Sequence, residues 1–242
     1  MTELSVIDMD REEVEALVFD YDGTLSPIGS EAGVSRELLD ILNLLKNMYK
    51  LIVASTRDCR FLMEKIGFFD AFVCSNGLEA IIGDVVVHKK GVLQIERTKK
   101  LEELKKMADE ECLKVEEKKS LDGKLIGLGI SWRRCGEKPN CIDEIIREAI
   151  RGELVIEWYQ RPFVEVYVDK AGKMEGLKIA NAILNIERFA YFGDSESDLE
   201  SLKNASISVF VRNSYNSHLN PPTTYTVNEG ELSSFLAKKF AR

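Results

Sequence analysis

Histidine is nearly missing from this chain: His88 and His218 are the only two. That excludes a multi-histidine metal centre and leaves little room for a Ser-His-Asp triad. Cysteine is sparse as well, and Cys59, Cys74, Cys112, Cys135 and Cys141 are odd in number, scattered and without CxxC spacing. Neither a disulfide framework nor a zinc knuckle is indicated, and reduced thiols are the expectation. An excess of cations is lacking too, since 33 Lys and Arg stand against 41 Asp and Glu, a net charge of -8. A general polyanion-binding surface for nucleic acid is therefore not expected, and any anion must be held locally. No apolar run approaches the ~20 residues that span a bilayer. Met1 to Glu15 lacks the basic start and apolar stretch of a signal peptide, so a cytoplasmic protein is expected, with no membrane or protein partner indicated. What remains is a chain with 45% hydrophobic residues, enough for a full core, whose chemistry must rest on carboxylates.

Strand and helix signals alternate in the first third. Ala16 to Phe19 reads as a strand and Ser35 to Met48 as an amphipathic helix, with Ser35 as N-cap and Leu38, Ile41, Leu42, Leu45 and Met48 at helical spacing. Leu51 to Ala54, a helix over Cys59 to Ile66 and a strand over Ala71 to Cys74 continue the pattern of a parallel sheet. Gly83-Asp84 marks a hairpin turn between apolar runs. From about Lys89 to Tyr167 the rhythm changes: a helix over Thr98 to Cys112, strands in which Ile126, Leu128, Ile130 and Trp132 alternate with small residues, and an amphipathic helix over Asn140 to Arg151. The α/β pattern returns from Lys173 onward, with a loop at Asn220-Pro221-Pro222 and a closing helix. These signals divide the chain into an α/β core formed by residues 1–88 and 168–242 and an inserted α+β module at 89–167.

Four segments at strand ends or helix starts carry polar residues that a core does not need. Ligands of open α/β sheets sit outside the carboxyl ends of the strands, where such residues converge. Asp20 and Asp22 follow the apolar run Ala16 to Phe19 at a glycine turn. Turn preference alone would account for an Asp and a Gly, yet two carboxylates beside a buried strand are costly without a cation or donors. Phosphoryl transfer uses a nucleophile, a proton donor for the leaving oxygen and compensating cations, and two carboxylates on one loop can divide the first two roles. Ser55-Thr56-Arg57 follows the next strand, either as donors to a phosphoryl group or as a plain N-cap. Lys173 opens a helix, against the macrodipole unless an anion lies near. Gly193-Asp194-Ser195-Glu196-Ser197-Asp198 groups three acidic residues in a pattern suited to a hard cation such as Mg²⁺, with helix capping as the alternative for its serines.

In this order the four segments resemble the haloacid dehalogenase superfamily of phosphatases: DxDGT, a strand-end Ser or Thr, a Lys, and GDxxxD. The resemblance implies a Rossmann-like parallel-sheet core with an inserted α+β cap that governs substrate choice. It also implies an aspartyl-phosphate mechanism with Asp20 as nucleophile, Asp22 as general acid and base, and Ser55 and Lys173 holding phosphoryl oxygens. Mg²⁺ would then be held by Asp20, the backbone carbonyl of Asp22 and Asp194, with Asp198 supporting the metal or orienting Lys173.

Within that superfamily the chain looks most like trehalose-6-phosphate phosphatases. Asp20 to Ile28 matches their DYDGTLxPI opening, Val115-Glu116-Glu117-Lys118 resembles their cap VExK segment, and Phe163-Val164-Glu165-Val166 resembles a strand bearing a substrate-binding Glu. By that match Thr56, Arg57, Glu116, Lys118, Arg133 and Glu165 would contact a sugar phosphate. The chain departs from the pattern at Thr56, at Met174 and at Ser131, where a cap histidine is usual. Sucrose phosphate, mannosylphosphoglycerate and phosphoglycolate are alternative substrates. A non-catalytic phosphate-binding module is disfavoured by the presence of both Asp20 and Asp22, and a dinucleotide-binding domain by the lack of GxGxxG after the first strand.

Overall fold

The computed structural model describes residues 14–28, 33–109, 111–170 and 172–241. The N-terminal stretch on which the absence of a leader was read lies almost wholly outside them. The chain starts with β1 (Ala16–Phe19), followed by α1 (Arg36–Leu45), β2 (Lys50–Ala54), α2 (Cys59–Ile66), β3 (Ala71–Cys74), β4 (Glu79–Ile82) and β5 (Val85–His88). Ser35 caps α1, its hydroxyl accepting from the Leu38 N–H at 3.2 Å. Then come α3 (Ile95–Met107), β6 (Lys114–Lys119), β7 (Leu125–Ser131), α4 (Asn140–Arg151), β8 (Val155–Trp158) and β9 (Phe163–Tyr167). The last third holds α5 (Lys173–Leu184), β10 (Phe189–Gly193), α6 (Leu199–Asn204), β11 (Ile207–Arg212), β12 (Tyr225–Asn228) and α7 (Leu232–Phe240).

These elements form an eight-stranded sheet in the order β12-β11-β10-β1-β2-β3-β4-β5 and a four-stranded sheet in the order β6-β7-β9-β8. The large sheet is parallel from β12 to β3, and the β4–β5 hairpin adds antiparallel strands at one edge. Its most buried strand, β1, is hidden on both faces, as parallel strands covered by helices are. Leu17 and Phe19 pack with α1, α2 and α7, whereas Ala16 and Val18 pack with α5. The chain order reverses at β1, which has β2 on one side and β10 on the other, so a crevice opens above its carboxyl end.

The smaller sheet is antiparallel and uses its two faces differently. Along β7, Ile126, Leu128 and Ile130 are wholly buried with α3 and α4 in an apolar core of their own. Gly127, Gly129 and Ser131 present the opposite face, in register with Lys118, Glu116 and Lys114 of β6 and with Tyr167, Glu165 and Phe163 of β9. A Cβ at Gly127 would collide with the Tyr167 ring at 2.7 Å, and one at Gly129 would press on the Phe163 ring at 3.1 Å.

Two expectations are corrected. The thiols are not all reduced, because Cys59 is bonded to Cys74 and Cys112 to Cys135. The first disulfide joins the start of α2 to the end of β3, packed side by side at a Cα separation of 5.3 Å, and the second links the flanks of the paired strands β6 and β7. Sequence separations of 15 and 23 carry no recognisable signature, and only the fold brings the partners together. The helix expected over Thr98 to Cys112 instead runs from Ile95 to Met107, and Cys112 is left free to reach Cys135. Among the described residues no helix is long and apolar enough to cross a membrane.

Candidate active site

Asp20 is the first residue beyond β1, where the sheet order reverses, and its neighbours arrive from three other segments. Lys173, the first residue of α5, is 1% exposed, and its ammonium donates to Asp20 Oδ1 and to Asp198 Oδ1, both at 2.7 Å. A buried cation at a helix N-terminus opposes both solvation and the macrodipole, and two carboxylates supply the compensation. Asp198 is saturated with donors. Its Oδ1 also accepts from the Tyr191 hydroxyl at 2.6 Å, and its Oδ2 from the Asp194 and Ser195 N–H groups and the Ser195 hydroxyl at 2.9 to 3.1 Å. Capping of this turn therefore engages Ser195 and Asp198, and leaves the Asp194 carboxylate outside it.

Asp20, Asp194 and Asp198 place one oxygen each within 4.8 Å of one another. Burial pushes the Asp20 carboxyl up to about 7 against the pull of Lys173, and lifts Asp194 well above the ordinary range, with the charges of Asp20 and Asp198 adding to it. Asp198 is also buried, but the charge and hydrogen bonds of Lys173 outweigh that and hold it low. Three carboxylates thus face one ammonium, and ionising all three leaves an excess of two negative charges. Asp194 Oδ2 accepts from the Asn213 amide at 2.7 Å, while its Oδ1 is buried with no hydrogen-bond partner. An orphaned, buried carboxylate oxygen beside uncompensated negative charge fits a hard divalent cation such as Mg²⁺. Gly23, at φ +89°, permits this approach, because a Cβ there would collide with the Asp194 carboxylate.

The Asp22 carboxylate stands apart from that cluster. Arg57 grips it with Nε to Oδ2 at 2.6 Å and Nη2 to Oδ1 at 2.9 Å, and reaches across to Glu116 of the small sheet with Nη1 at 2.6 Å. Ser55 is buried at the end of β2, its hydroxyl accepting from the Arg57 N–H at 3.2 Å. Asp58, rather than Ser55 or Thr56, caps α2, so the capping alternative does not account for that pair. Lys118 is 1% exposed and donates to the Thr56 carbonyl at 2.7 Å and to Glu116 at 3.0 Å, and it pairs with Glu165 at 2.9 Å. Glu165 also accepts from the Tyr159 hydroxyl at 2.5 Å. Between the two sheets lies a cavity of about 220 Å³ lined by Asp22, Thr56, Arg57, Glu116, Lys118, Arg133 and Glu165, with Arg134, Arg161 and Lys114 toward one end.

The residues singled out in sequence therefore fall into two groups: Asp20, Lys173, Asp194 and Asp198 at the sheet crevice, and Asp22, Thr56, Arg57, Glu116, Lys118, Arg133 and Glu165 around the cavity. Ser55 lies at the end of β2, next to β1 in the sheet. Several participants escaped sequence reasoning. Asn213 holds Asp194, Asn216 donates to the Asp194 carbonyl at 2.9 Å, and Tyr191 orients Asp198. Asn76, in a left-handed conformation at φ +57°, donates to Glu157 of β8 at 2.7 Å and so adds a contact from the large sheet to the small one. Burial and the charge of Glu165 push Glu157 up to about 7.

A largely parallel sheet with four polar strand-end segments around a buried acidic cluster is an α/β fold whose strand-end site suits phosphoryl groups. Residues 82–225 match the family of haloacid dehalogenase-like hydrolases, and the chain belongs to that family. Among solved structures, a trehalose-6-phosphate phosphatase related protein is similar at 18% identity and a TM-score of 0.73, covering 92% of this chain and 96% of its own. The C-terminal domain of a C. albicans trehalose-6-phosphate phosphatase is similar at 18% identity and 0.72, covering 93% and 92%. A sugar phosphatase of haloacid dehalogenase subclass IIB is similar at 15% identity and 0.65, covering 94% and 100%. These likenesses establish a shared fold. No curated protein matches by sequence.

Proposed function

We propose that this chain is a Mg²⁺-dependent phosphomonoesterase that works through an aspartyl-phosphate on a small sugar phosphate, trehalose 6-phosphate being the first to test. The observation that carries this reading is the crevice itself: Lys173 bridges Asp20 and Asp198 at 2.7 Å while the Asp194 Oδ1 is buried without a partner. In the reaction an Asp20 carboxylate oxygen attacks phosphorus in line, and the bond from phosphorus to the ester oxygen breaks. Asp22 gives a proton to the departing alcohol, then takes one from the water that attacks the aspartyl-phosphate. That second step releases inorganic phosphate and restores the Asp20 carboxylate. Lys173 neutralises charge on the phosphoryl oxygens, Ser55 donates its hydroxyl to them, and Asp198 holds Lys173 in place. Asp20, Asp194 and the backbone carbonyl of Asp22 would hold Mg²⁺, which supplies charge neutralisation for the transferring group.

Residues 89–167 serve in this reading as a cap over the core formed by 1–88 and 168–242. Glu116 faces the sugar and Arg133 the end of the substrate remote from the phosphate, supported by Thr56, Arg57, Lys118 and Glu165. The test is phosphate release from trehalose 6-phosphate, sucrose phosphate, mannosylphosphoglycerate and phosphoglycolate, with and without EDTA, for the wild type and Asp20→Asn. Turnover that needs Mg²⁺ and disappears in the folded variant is the expected result. Wild-type-like turnover by Asp20→Asn would sink the assignment of the nucleophile.

A further inference from the structure

The cavity between the sheets is unevenly charged. Around its middle, cations and carboxylates cancel, since Arg57 is paired with Asp22 and Glu116, and Lys118 with Glu116 and Glu165. At one end, where β6 begins and β7 finishes, Lys114, Arg133, Arg134 and Arg161 line the same cavity, and among the described residues none of the four has a carboxylate partner. In a chain of net charge -8 such a concentration of unpaired cations is not a consequence of composition. Two of the guanidiniums lie over aromatic rings, Arg133 over Tyr215 at 4.7 Å and Arg161 over Tyr159 and Phe163 at 4.8 and 5.2 Å. A guanidinium seated over a ring keeps N–H groups available to a planar or tetrahedral anion. The Arg161 Nε–H is buried without any acceptor. Partial desolvation and the charge of Arg161 together depress the Arg133 guanidinium below its ordinary value, the mark of like charges brought close without a counter-ion.

We infer that the substrate carries a second anionic group, a carboxylate or a further phosphate, seated among Arg133, Arg134 and Lys114 while its ester phosphate lies at Asp20. This rests on the phosphatase reading above and narrows it, because a neutral disaccharide monophosphate has nothing to place at that end. Arg161 also lines the small crevice beside Asp194, so Arg133 and Arg134 are the cleaner positions to change.

The experiment compares matched esters at saturating Mg²⁺: glycerol 3-phosphate with 3-phosphoglycerate, glucose 6-phosphate with 6-phosphogluconate, and fructose 1-phosphate with fructose 1,6-bisphosphate. The first two pairs add a carboxylate and the third a phosphate, so the arms separate the two sources of charge. The expected result is a kcat/KM about tenfold or more higher for the doubly anionic member of at least one pair, carried by KM, as one charge-assisted bidentate contact provides. Arg133→Gln and Arg134→Gln should bring that ratio toward one, and Arg133→Lys, which keeps the charge and loses the fork, should fall between. A wild-type ratio near one on all pairs overturns the inference while leaving the phosphatase reading intact. Equal losses on both members of a pair in the arginine variants overturn it too, because general attraction of phosphate would produce them. Failure to turn over any ester overturns both readings.

Discussion

Both carboxylate oxygens of Asp22 accept from one guanidinium, that of Arg57, whose third nitrogen reaches Glu116 across the cavity. The residue assigned the proton transfer is therefore tied to the small sheet through one side chain. A lysine retains the charge but cannot form the parallel pair of bonds and the third contact together. Arg57→Lys should lower kcat by roughly tenfold, the order of one lost charge-assisted hydrogen bond, with little change in the thermal midpoint. Steady-state kinetics beside a melting curve checks this, and an unchanged kcat would show the tie to be incidental.

Lys173 is the counter-charge for the buried Asp20 and Asp198. Removing one partner of such a group leaves uncompensated charge, at a cost of about 3–5 kcal/mol. Urea unfolding of Lys173→Ala at pH 7.5 should show that loss. A variant as stable as the wild type would mean that solvent reaches these carboxylates.

Asp194 offers an orphan oxygen. Mg²⁺ at about a hundred times its dissociation constant should raise the thermal midpoint by roughly 5–10 °C for a chain of this size. Asp194→Asn should abolish the shift. An equal shift in the variant would place the cation elsewhere, and this readout needs no substrate.

Glu157 is raised from an ordinary carboxyl value to about 7, first by burial and then by Glu165. In the unfolded chain it releases its proton near 4.5, so between about pH 4.5 and 7 the unfolded state ionises first and stability falls as pH rises. Glu157→Gln keeps an oxygen for the Asn76 amide and removes the titration. The stability of this variant relative to wild type should grow from pH 5 to pH 8, as differential melting would show. A constant difference across that range would contradict the shift.

The parts of this molecule legible in sequence were those with a periodic or positional signature. An apolar run ending in Asp20 and Asp22, and another ending in Gly193-Asp194, mark strand ends because a buried strand has no use for such charges. Ser35 and Leu38 to Leu45 located α1 for the same kind of reason. Asn213 and Asn216 were missed because an asparagine in a loop already has a sufficient explanation in turn preference, and Tyr191 because an aromatic in a strand reads as core. The disulfides and the Asn76–Glu157 contact join positions whose closeness exists only after folding. Strand β12 has four residues at the sheet edge, with Val227 its one buried side chain, too short a pattern to separate from loop.

The glycines of β7 have a consequence for how this enzyme could diverge. With Gly129 lacking a side chain, the cavity wall there is peptide backbone, and the Phe163 ring stands beside it. One added methyl group at Gly129 would meet the Phe163 ring at 3.1 Å and require that ring to give way, while Asp20, Lys173 and Asp194 lie at the crevice of the larger sheet. A change on that strand thus reshapes the cavity without touching the buried acidic cluster.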